Sequence, residues 1–352
     1  MTNNKWLVTG GAGFIGSHLV QELVRRGHQV RVADDLSSGL RENIPAGVEL
    51  VEGDLADAEV ARSAVAGCGI VLHQAARPSV PRSVQDPVGS NRANVTATVE
   101  LLVAARDAGV KRLVFAGSSS VYGDAVALPK REDMPAEPLS PYALQKLVSE
   151  QYCQMFTRLY GFETVTTRYF NVFGPRQQPG SPYSGVISLF IEALVQGRPP
   201  VVLGDGLQTR DFTYVGDVVA GVLAAAEAPG VAGEVINVAA GDRISLLDLV
   251  RTLQGLLDRQ IEPTFGPTRE GDGRTRSGLD DDHGALDQAG NRVKHEAVRG
   301  TGVIEDGFGS IHRPPALEHR QTIEQPLLVP TQQGVAPVHR GPERPLPRFG
   351  SP

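Results

Sequence analysis

The stretch Gly10-Gly11-Ala12-Gly13-Phe14-Ile15-Gly16 decides the fold. It stands between a short apolar run, Trp6-Leu7-Val8, and an amphipathic stretch from Phe14 to Arg26 that reads as a helix. Glycines at 10, 13 and 16 have separate tasks in such a place: a tight turn, close backbone approach to a pyrophosphate, and close packing of helix on strand. A helix starting there turns its unpaired N–H groups and positive dipole end towards phosphate oxygens. Asp34 closes a second expected strand, Gln29–Ala33. A carboxylate there accepts both ribose hydroxyls and repels a 2′-phosphate, which favours NAD over NADP. Asp35 reads as the opening of the turn Ser37-Ser38-Gly39. Asp54 and Leu55, after a third strand at Val48–Glu52, are candidate adenine contacts, although Gly53-Asp54 equally suits an ordinary strand exit.

Outward from this loop, Ile70–Leu72 and Arg112–Ala116 read as further strands, with a helical segment at Val95–Ala108 between them. Strands separated by helical patterns give βαβ units with right-handed crossovers, hence an α/β, doubly wound parallel sheet. Beyond Phe173 a cluster of Pro, Gly and Gln (175–185) reads as a long loop, after which helical periodicity returns at Val186–Gln196, Val218–Glu227 and Leu246–Leu257. The last has a capping-box start, Ser245 with Asp248.

Composition narrows the function classes. The chain has 352 residues, 41% hydrophobic and 21% charged, and a formal net charge of −6, which excludes collagen-like and wholly disordered chains. Mild acidity without a basic block gives no footprint for nucleic acid or an anionic membrane. No apolar run reaches the roughly 18 residues that span a bilayer. The start leads directly into the first expected strand, so no secretory signal is expected. Cys68 and Cys153 are too few for a disulfide framework or a zinc site, so no metal is expected and a reducing cytoplasm is the expected location.

Tyr142 and Lys146 lie four apart, which on a helix puts both side chains on one face. A tyrosine with a reference pKa near 10 is a poor base at neutral pH, but an ammonium and a positive nicotinamide ring beside it stabilise the phenolate. Only five of the 34 basic residues are lysines (5, 111, 130, 146 and 294), so a lysine at this spacing is less readily there by chance. Ser118-Ser119-Ser120 follows a strand at its carboxyl end, the edge where open parallel sheets bind ligands. A hydroxyl there can share a substrate proton with the tyrosine, or the three serines can form a capped turn.

These blocks resemble the extended short-chain dehydrogenase/reductase family acting on nucleotide sugars, particularly its UDP-hexose 4-epimerase branch (UDP-glucose or UDP-N-acetylglucosamine). The resemblance runs through Val8-Thr9-Gly10-Gly11-Ala12-Gly13-Phe14-Ile15-Gly16-Ser17, His73-Gln74-Ala75-Ala76, Ser118 to Gly123, Ser140 to Lys146, Arg168 to Gly174 and Gly204 to Phe212. It covers roughly the first 270 residues and implies a Rossmann-type sheet with a smaller α/β substrate-binding domain. The implied division is 1–173 for NAD and 174–272 for the UDP-sugar, interleaved with the first. By this resemblance Tyr142 is the base, Lys146 binds the nicotinamide ribose and lowers the tyrosine pKa, and Ser118 bridges substrate and base. Gly10, Gly13, Phe14, Ile15, Gly16, Asp34, Asp54, Leu55, Ala75, Asn94, Tyr142 and Lys146 fall at the NAD. Ser79, Ser118, Ser119, Asn171, Arg210, Arg269 and Asp272 fall at the UDP-sugar. A surface ion pair with Asp211 is the plainer reading of Arg210. Relatives pair as homodimers through two helices each, here near Asn94–Asp107 and Pro141–Leu159.

Related 4,6-dehydratases carry Thr-Asp-Glu before the Val-Tyr-Gly, because elimination needs an acid–base pair at C5 and C6, and decarboxylating relatives keep a Glu. Ser119 and Ser120 do neither job, so the resemblance implies chemistry confined to C4. The block Ser79-Val80-Pro81-Arg82-Ser83 resembles the branch acting on N-acetylated UDP-hexoses.

The resemblance stops after Asp272. The stretch 273–352 is rich in Arg, Gly, Pro and His, lacks Trp and Tyr, and holds neither strand nor helix periodicity. It has the character of a frame-shifted reading of a GC-rich gene, with a divergent disordered extension as the alternative. Either implies a second reading of the whole chain: an NAD-binding protein without turnover because its substrate-closing segment is aberrant.

Overall fold

The computed structural model describes residues 5–125, 127–178 and 185–267. The stretch 273–352 lies outside the described residues. The strands are β1 (Lys5–Thr9), β2 (Gln29–Asp34), β3 (Glu49–Glu52), β4 (Cys68–His73), β5 (Arg112–Ser118) and β6 (Glu163–Tyr169). With a seventh strand, Val235–Val238, they form one parallel sheet in the order Val235–Val238, β6, β5, β4, β1, β2, β3. Central strands of such a sheet are covered on both faces and therefore read as continuous apolar runs. Leu7, Val8, Val71, Leu72, Leu113 and Val114 are accordingly buried to the last atom.

One face packs on helix α1 (Phe14–Arg25) and on the helix Val215–Glu227, through Leu19, Val20, Leu23, Val218 and Val222. The other packs on α2 (Ala58–Val65), α5 (Ala97–Asp107) and α6 (Pro141–Tyr160), reached through two shorter helices, α3 (Val80–Gln85) and α4 (Pro87–Asn91). Val235 to Val238 pair in register with Thr166 to Tyr169. Residues 215–238 thus return to the large sheet from the later half of the chain. A third core, around Phe190, Leu194, Val202, Leu249 and Leu253, joins the helices Val186–Val195 and Leu246–Leu257. Short strand pairs flank it: Val201–Leu203 with Thr264–Gly266, and Thr209–Arg210 with Ile244–Ser245.

Two departures from the sequence reading have physical causes. The helix expected from Val95 is preceded by a π-helical turn, Arg92–Thr96, that joins α4 to α5. At its centre the Asn94 side chain is drawn into polar contacts with other segments, and such turns mark strain or function. At Ser245 the hydroxyl caps the helix by accepting the Asp248 N–H at 3.1 Å, but it also donates to the Asp248 carboxylate at 2.6 Å. The reciprocal arm of a capping box, a carboxylate on the cap's own N–H, is replaced by a hydroxyl–carboxylate bond.

Two buried arginines hold the edge of the sheet opposite the glycine loop. Arg31 Nη1 donates to the carbonyls of Ser63, Ala64 and Ala66 at the end of α2. Arg112 Nη1 donates to Ala225, Ala226 and Ala228 at the end of Val215–Glu227. Each guanidinium satisfies last-turn carbonyls that have no partner within the helix and sits at the negative end of the helix dipole. Among the described residues, no helix is long and apolar enough to cross a membrane, and no group of His, Cys, Asp and Glu could hold a metal ion.

Candidate active site

The strand order reverses between β1 and β4, and the carboxyl ends of those strands open a crevice. The glycine loop lines it. Gly10 has φ +65°, and a Cβ there would lie 2.8 Å from the Ala75 nitrogen and 3.0 Å from the Gln74 carbonyl carbon. At Gly16 a Cβ would come within 2.1 Å of the Gly10 oxygen, so α1 can lie this close to the loop only without a side chain. At Gly13 a Cβ would lie 3.2 Å from the Gly10 oxygen, so this position too leaves little room for a side chain. Phe14 and Ile15 form the first turn of α1, which no side chain caps and which holds no acid.

Asp34 ends β2 and is buried. Its two carboxylate oxygens accept the Ala12 and Leu36 N–H groups, each at 2.9 Å. Burial pushes the Asp34 carboxyl up, against the pull of those two bonds. Asp35 takes the plainer role: its carboxylate accepts the Ser37 N–H at 2.9 Å in an Asx turn. Asp54 accepts the Ala56 N–H at 2.9 Å and pairs with Arg92 at 3.1 Å, while Leu55 beside it is buried.

The floor of the crevice is a fixed polar cluster. Thr9 Oγ1 accepts the Gln74 and Ala75 N–H groups, each at 3.1 Å, and contacts His73 Nδ1 at 2.7 Å. Burial, helped by the Lys146 charge, lowers the His73 pKa to about 3, so the ring is neutral. Tyr169 donates its hydroxyl to Gln74 Oε1 at 3.0 Å, and the buried Gln74 Nε2 has no partner among the described residues. An uncapped helix start, a loop that admits no side chain at Gly10 or Gly16, and a buried amide donor without an acceptor together fit a dinucleotide.

Tyr142 and Lys146 are one turn apart on α6. Ser140 caps that helix, with Pro141 in its first turn. Lys146 is only 4% exposed. Its ammonium donates to the Ala116 carbonyl at 2.7 Å and lies 4.9 Å from the Phe115 ring centre and 6.0 Å from that of Tyr142. Burial lowers its pKa from 10.5 to about 8. Ser118 ends β5, its Oγ accepting the Ser120 N–H at 3.2 Å and meeting Ser120 Oγ at 2.8 Å. The capped turn weighed for this triplet therefore exists, with Ser119 and Ser120 buried inside it and Ser118 partly exposed at its mouth.

Asn94, in the π turn, ties the two sides of the site together. Its Oδ1 accepts the Arg77 N–H at 2.7 Å, and its Nδ2 donates to Gln145 Oε1, beside Lys146, at 2.8 Å. Ser79 caps α3, accepting the Arg82 N–H at 3.2 Å.

Asn171 follows β6, and its Nδ2 donates to the Asp211 carbonyl at 2.9 Å. Arg210 is buried and donates to the Thr209 carbonyl at 2.9 Å. A surface ion pair with Asp211 is ruled out. Asp211 is fully enclosed, and its carboxylate accepts the Ala240 and Gly241 N–H groups at 3.0 and 2.9 Å. Arg269 and Asp272 lie outside the described residues.

Sequence reasoning missed the polar support behind the site. Arg168 and Glu150 form a buried, two-pronged ion pair (2.9 and 2.6 Å), with the Arg168 guanidinium 4.8 Å from the Tyr122 ring centre. Tyr122 in turn donates to Asn237 at 2.8 Å. Burial works against the Arg168 charge, but the Glu150 carboxylate outweighs it and raises the pKa.

A family model described as the NAD dependent epimerase/dehydratase family matches residues 6–239. The UDP-glucose 4-epimerase of Mycolicibacterium smegmatis is 43% identical over 281 residues, covering 78% of this chain and 89% of its own. Among solved structures, the UDP-N-acetylglucosamine 4-epimerase of Methanobrevibacter ruminantium, in complex with UDP-N-acetylmuramic acid, superposes with a TM-score of 0.76 at 35% identity. It covers 84% of this chain and 98% of that one. The UDP-glucose 4-epimerase of Thermus thermophilus, in complex with NAD, gives a TM-score of 0.73 at 35% identity, over 84% of this chain and 99% of that one.

Proposed function

The chain belongs to the NAD-dependent epimerase/dehydratase family, and from that premise we propose that it interconverts the 4-epimers of a UDP-hexose, with Tyr142 as the proton-transferring base. The cofactor is NAD. The sugar is of the UDP-glucose/galactose or UDP-GlcNAc/GalNAc type.

One observation carries the reading: Tyr142 and Lys146 share a face of α6, with Ser118 at the end of β5 and hydroxyls in the turn that follows. Bound NAD supplies a reversible hydride acceptor at C4, so the cycle has no net redox change. Gly10, Gly13, Phe14, Ile15 and Gly16 would cradle its diphosphate, with Asp34 on the adenine ribose and Asp54, Leu55, Ala75 and Asn94 along its length. Tyr142 takes the proton from the C4 hydroxyl and later returns it. Lys146 stabilises the phenolate through its charge, and Ser118 relays the hydrogen bond between sugar and tyrosine. Between the two proton transfers the 4-keto sugar must present its other face, so the pocket has to grip the nucleotide and hold the hexose loosely. Asn171 and Arg210 suit the grip, a guanidinium and an amide for a diphosphate, with Ser79 and Ser119 on the sugar side and Arg269 and Asp272 completing the nucleotide contacts. Elimination or decarboxylation would call for a carboxyl group where Ser119 and Ser120 stand. As in relatives, pairing would run through α5 and α6, where Leu144, Met155 and Leu159 are exposed on α6.

The test is to mix the purified protein with UDP-galactose and UDP-GalNAc and follow both anomeric proton signals. Conversion of either to its 4-epimer is expected, with Tyr142→Phe slower by about 10²–10⁴-fold. A 4-keto-6-deoxy product would refute the reading. So would protein that holds NAD and converts neither sugar, and that outcome would favour a binding protein without turnover.

A further inference from the structure

Resting on Tyr142 as the base, we infer that Ser83 is a positioning residue for it, the acceptor that fixes where the catalytic helix begins. Ser83 is fully buried on α3. Its hydroxyl donates to the Val80 carbonyl at 2.7 Å, which commits the proton and leaves lone pairs facing α6. The Tyr142 N–H donates to Ser83 Oγ at 3.0 Å.

The start of α6 shows why this bond matters. Pro141 has no N–H to place. Ala143 N–H goes to Ser140 Oγ at 3.2 Å and Leu144 N–H to the Ser140 carbonyl at 3.0 Å. Of the three N–H groups that follow the proline, only that of Tyr142 finds its acceptor on another element. The backbone of the base is therefore held from outside its own helix.

Ser79 and Ser83 bracket one turn of α3, and the Ser83 N–H donates to the Ser79 carbonyl at 3.0 Å. One short rigid segment thus carries a candidate sugar contact at its start and the anchor of the base at its end. Contact with the sugar and placement of the Tyr142 hydroxyl are set by the same turn. Removing the acceptor takes away the Ser83 bond to the Tyr142 N–H and lets the first turn of α6 shift. A displacement of about 1 Å at a reacting group costs about 10²-fold in rate.

The experiment compares wild type, Ser83→Ala, Ser83→Thr and Tyr142→Phe for kcat, KM, bound NAD per chain and the pH dependence of kcat. Ser83→Ala is expected to lower kcat about 10- to 100-fold with KM changed less than about threefold and NAD content unchanged. The acid limb of its pH profile should move upward as the tyrosine leaves the Lys146 ammonium. Ser83→Thr, which keeps the hydroxyl, should recover most of the rate although it is bulkier. A merely structural role would lower NAD content as well and leave the threonine variant worse than the alanine one. Either that pattern or a Ser83→Ala enzyme with unaltered kcat overturns the inference. Failure of the underlying reading looks different: a wild type without turnover, or a Tyr142→Phe variant as active as wild type.

Discussion

Lys146→Met tests whether the ammonium is held in the fold at a cost. Lys146 is buried, with one carbonyl and two ring faces around its charge. Its pKa falls from 10.5 to about 8 because burial penalises the charged form. That fall corresponds to about 3 kcal/mol by which folding disfavours the ammonium. The group titrates at about 8 when folded and near 10.5 when unfolded, so between these values the unfolded chain binds more protons and stability rises with pH. Below about pH 8 the whole cost is present; above about 10.5 it is gone. Methionine fills similar space without the charge, but it strands the Ala116 carbonyl, at about 1 kcal/mol. Lys146→Met, freed of NAD, is therefore expected to be more stable than wild type by about 2 kcal/mol at pH 6.5. For a domain of this size that is about 4–8 °C in Tm. The gain should shrink as pH rises through 8 towards 10. Paired thermal melts of variant and wild type across pH 6–10 measure it, and the difference between the two removes the titrating groups on which the Lys146 charge does not act. A variant no more stable than wild type at pH 6.5, or a gain that does not fade with pH, refutes the reasoning. Turnover of the variant should be lost despite the added stability, a conflict found where a site is held in a strained state.

Three further outcomes follow from the geometry. Arg112→Met removes the donor to three last-turn carbonyls of Val215–Glu227 and should cost about 2–4 kcal/mol in urea denaturation, with kcat per folded molecule unchanged. Gly16→Ala places a methyl group 2.1 Å from the Gly10 oxygen; the purified protein should carry little NAD while its circular dichroism stays near that of wild type. Asp34→Ala leaves the Ala12 and Leu36 N–H groups without their acceptor and takes away the proposed ribose contact. NAD affinity by calorimetry should fall about 10²-fold, with discrimination against NADP reduced.

The parts of this molecule legible in its sequence are those whose cause is local. A glycine that must adopt φ +65°, a glycine that must admit a helix at contact distance and an acid at the end of a strand leave marks within a few residues. So do apolar strands covered on both faces. The π turn at Arg92–Thr96 left none, because it depends on where Arg77 and Gln145 stand relative to Asn94. Ser83 stands in the sequence only as the last residue of the block Ser79–Ser83, and its bond to the Tyr142 N–H exists only once the fold brings α3 and α6 together. The burial of Arg210 and Asp211 was equally hidden, since adjacent opposite charges suggest a solvated pair and only tertiary structure aims the aspartate at Ala240 and Gly241. The placement of Val235–Val238 beside β6 likewise rests on a pairing across many residues, which no local pattern announces.

The two arginines beneath the sheet, Arg31 and Arg112, carry a consequence for how this protein can change. Their six carbonyl bonds anchor the ends of two helices at the rim farthest from the glycine loop. These helix anchors lie at one rim, and the proposed ligand contacts lie at the other. Residues around the sugar can then be exchanged while the foundation stays untouched, so a lineage built on this plan could drift from one hexose to another without first becoming more robust. Directed evolution of sugar preference should accordingly tolerate many substitutions on the upper rim and few at those two arginines.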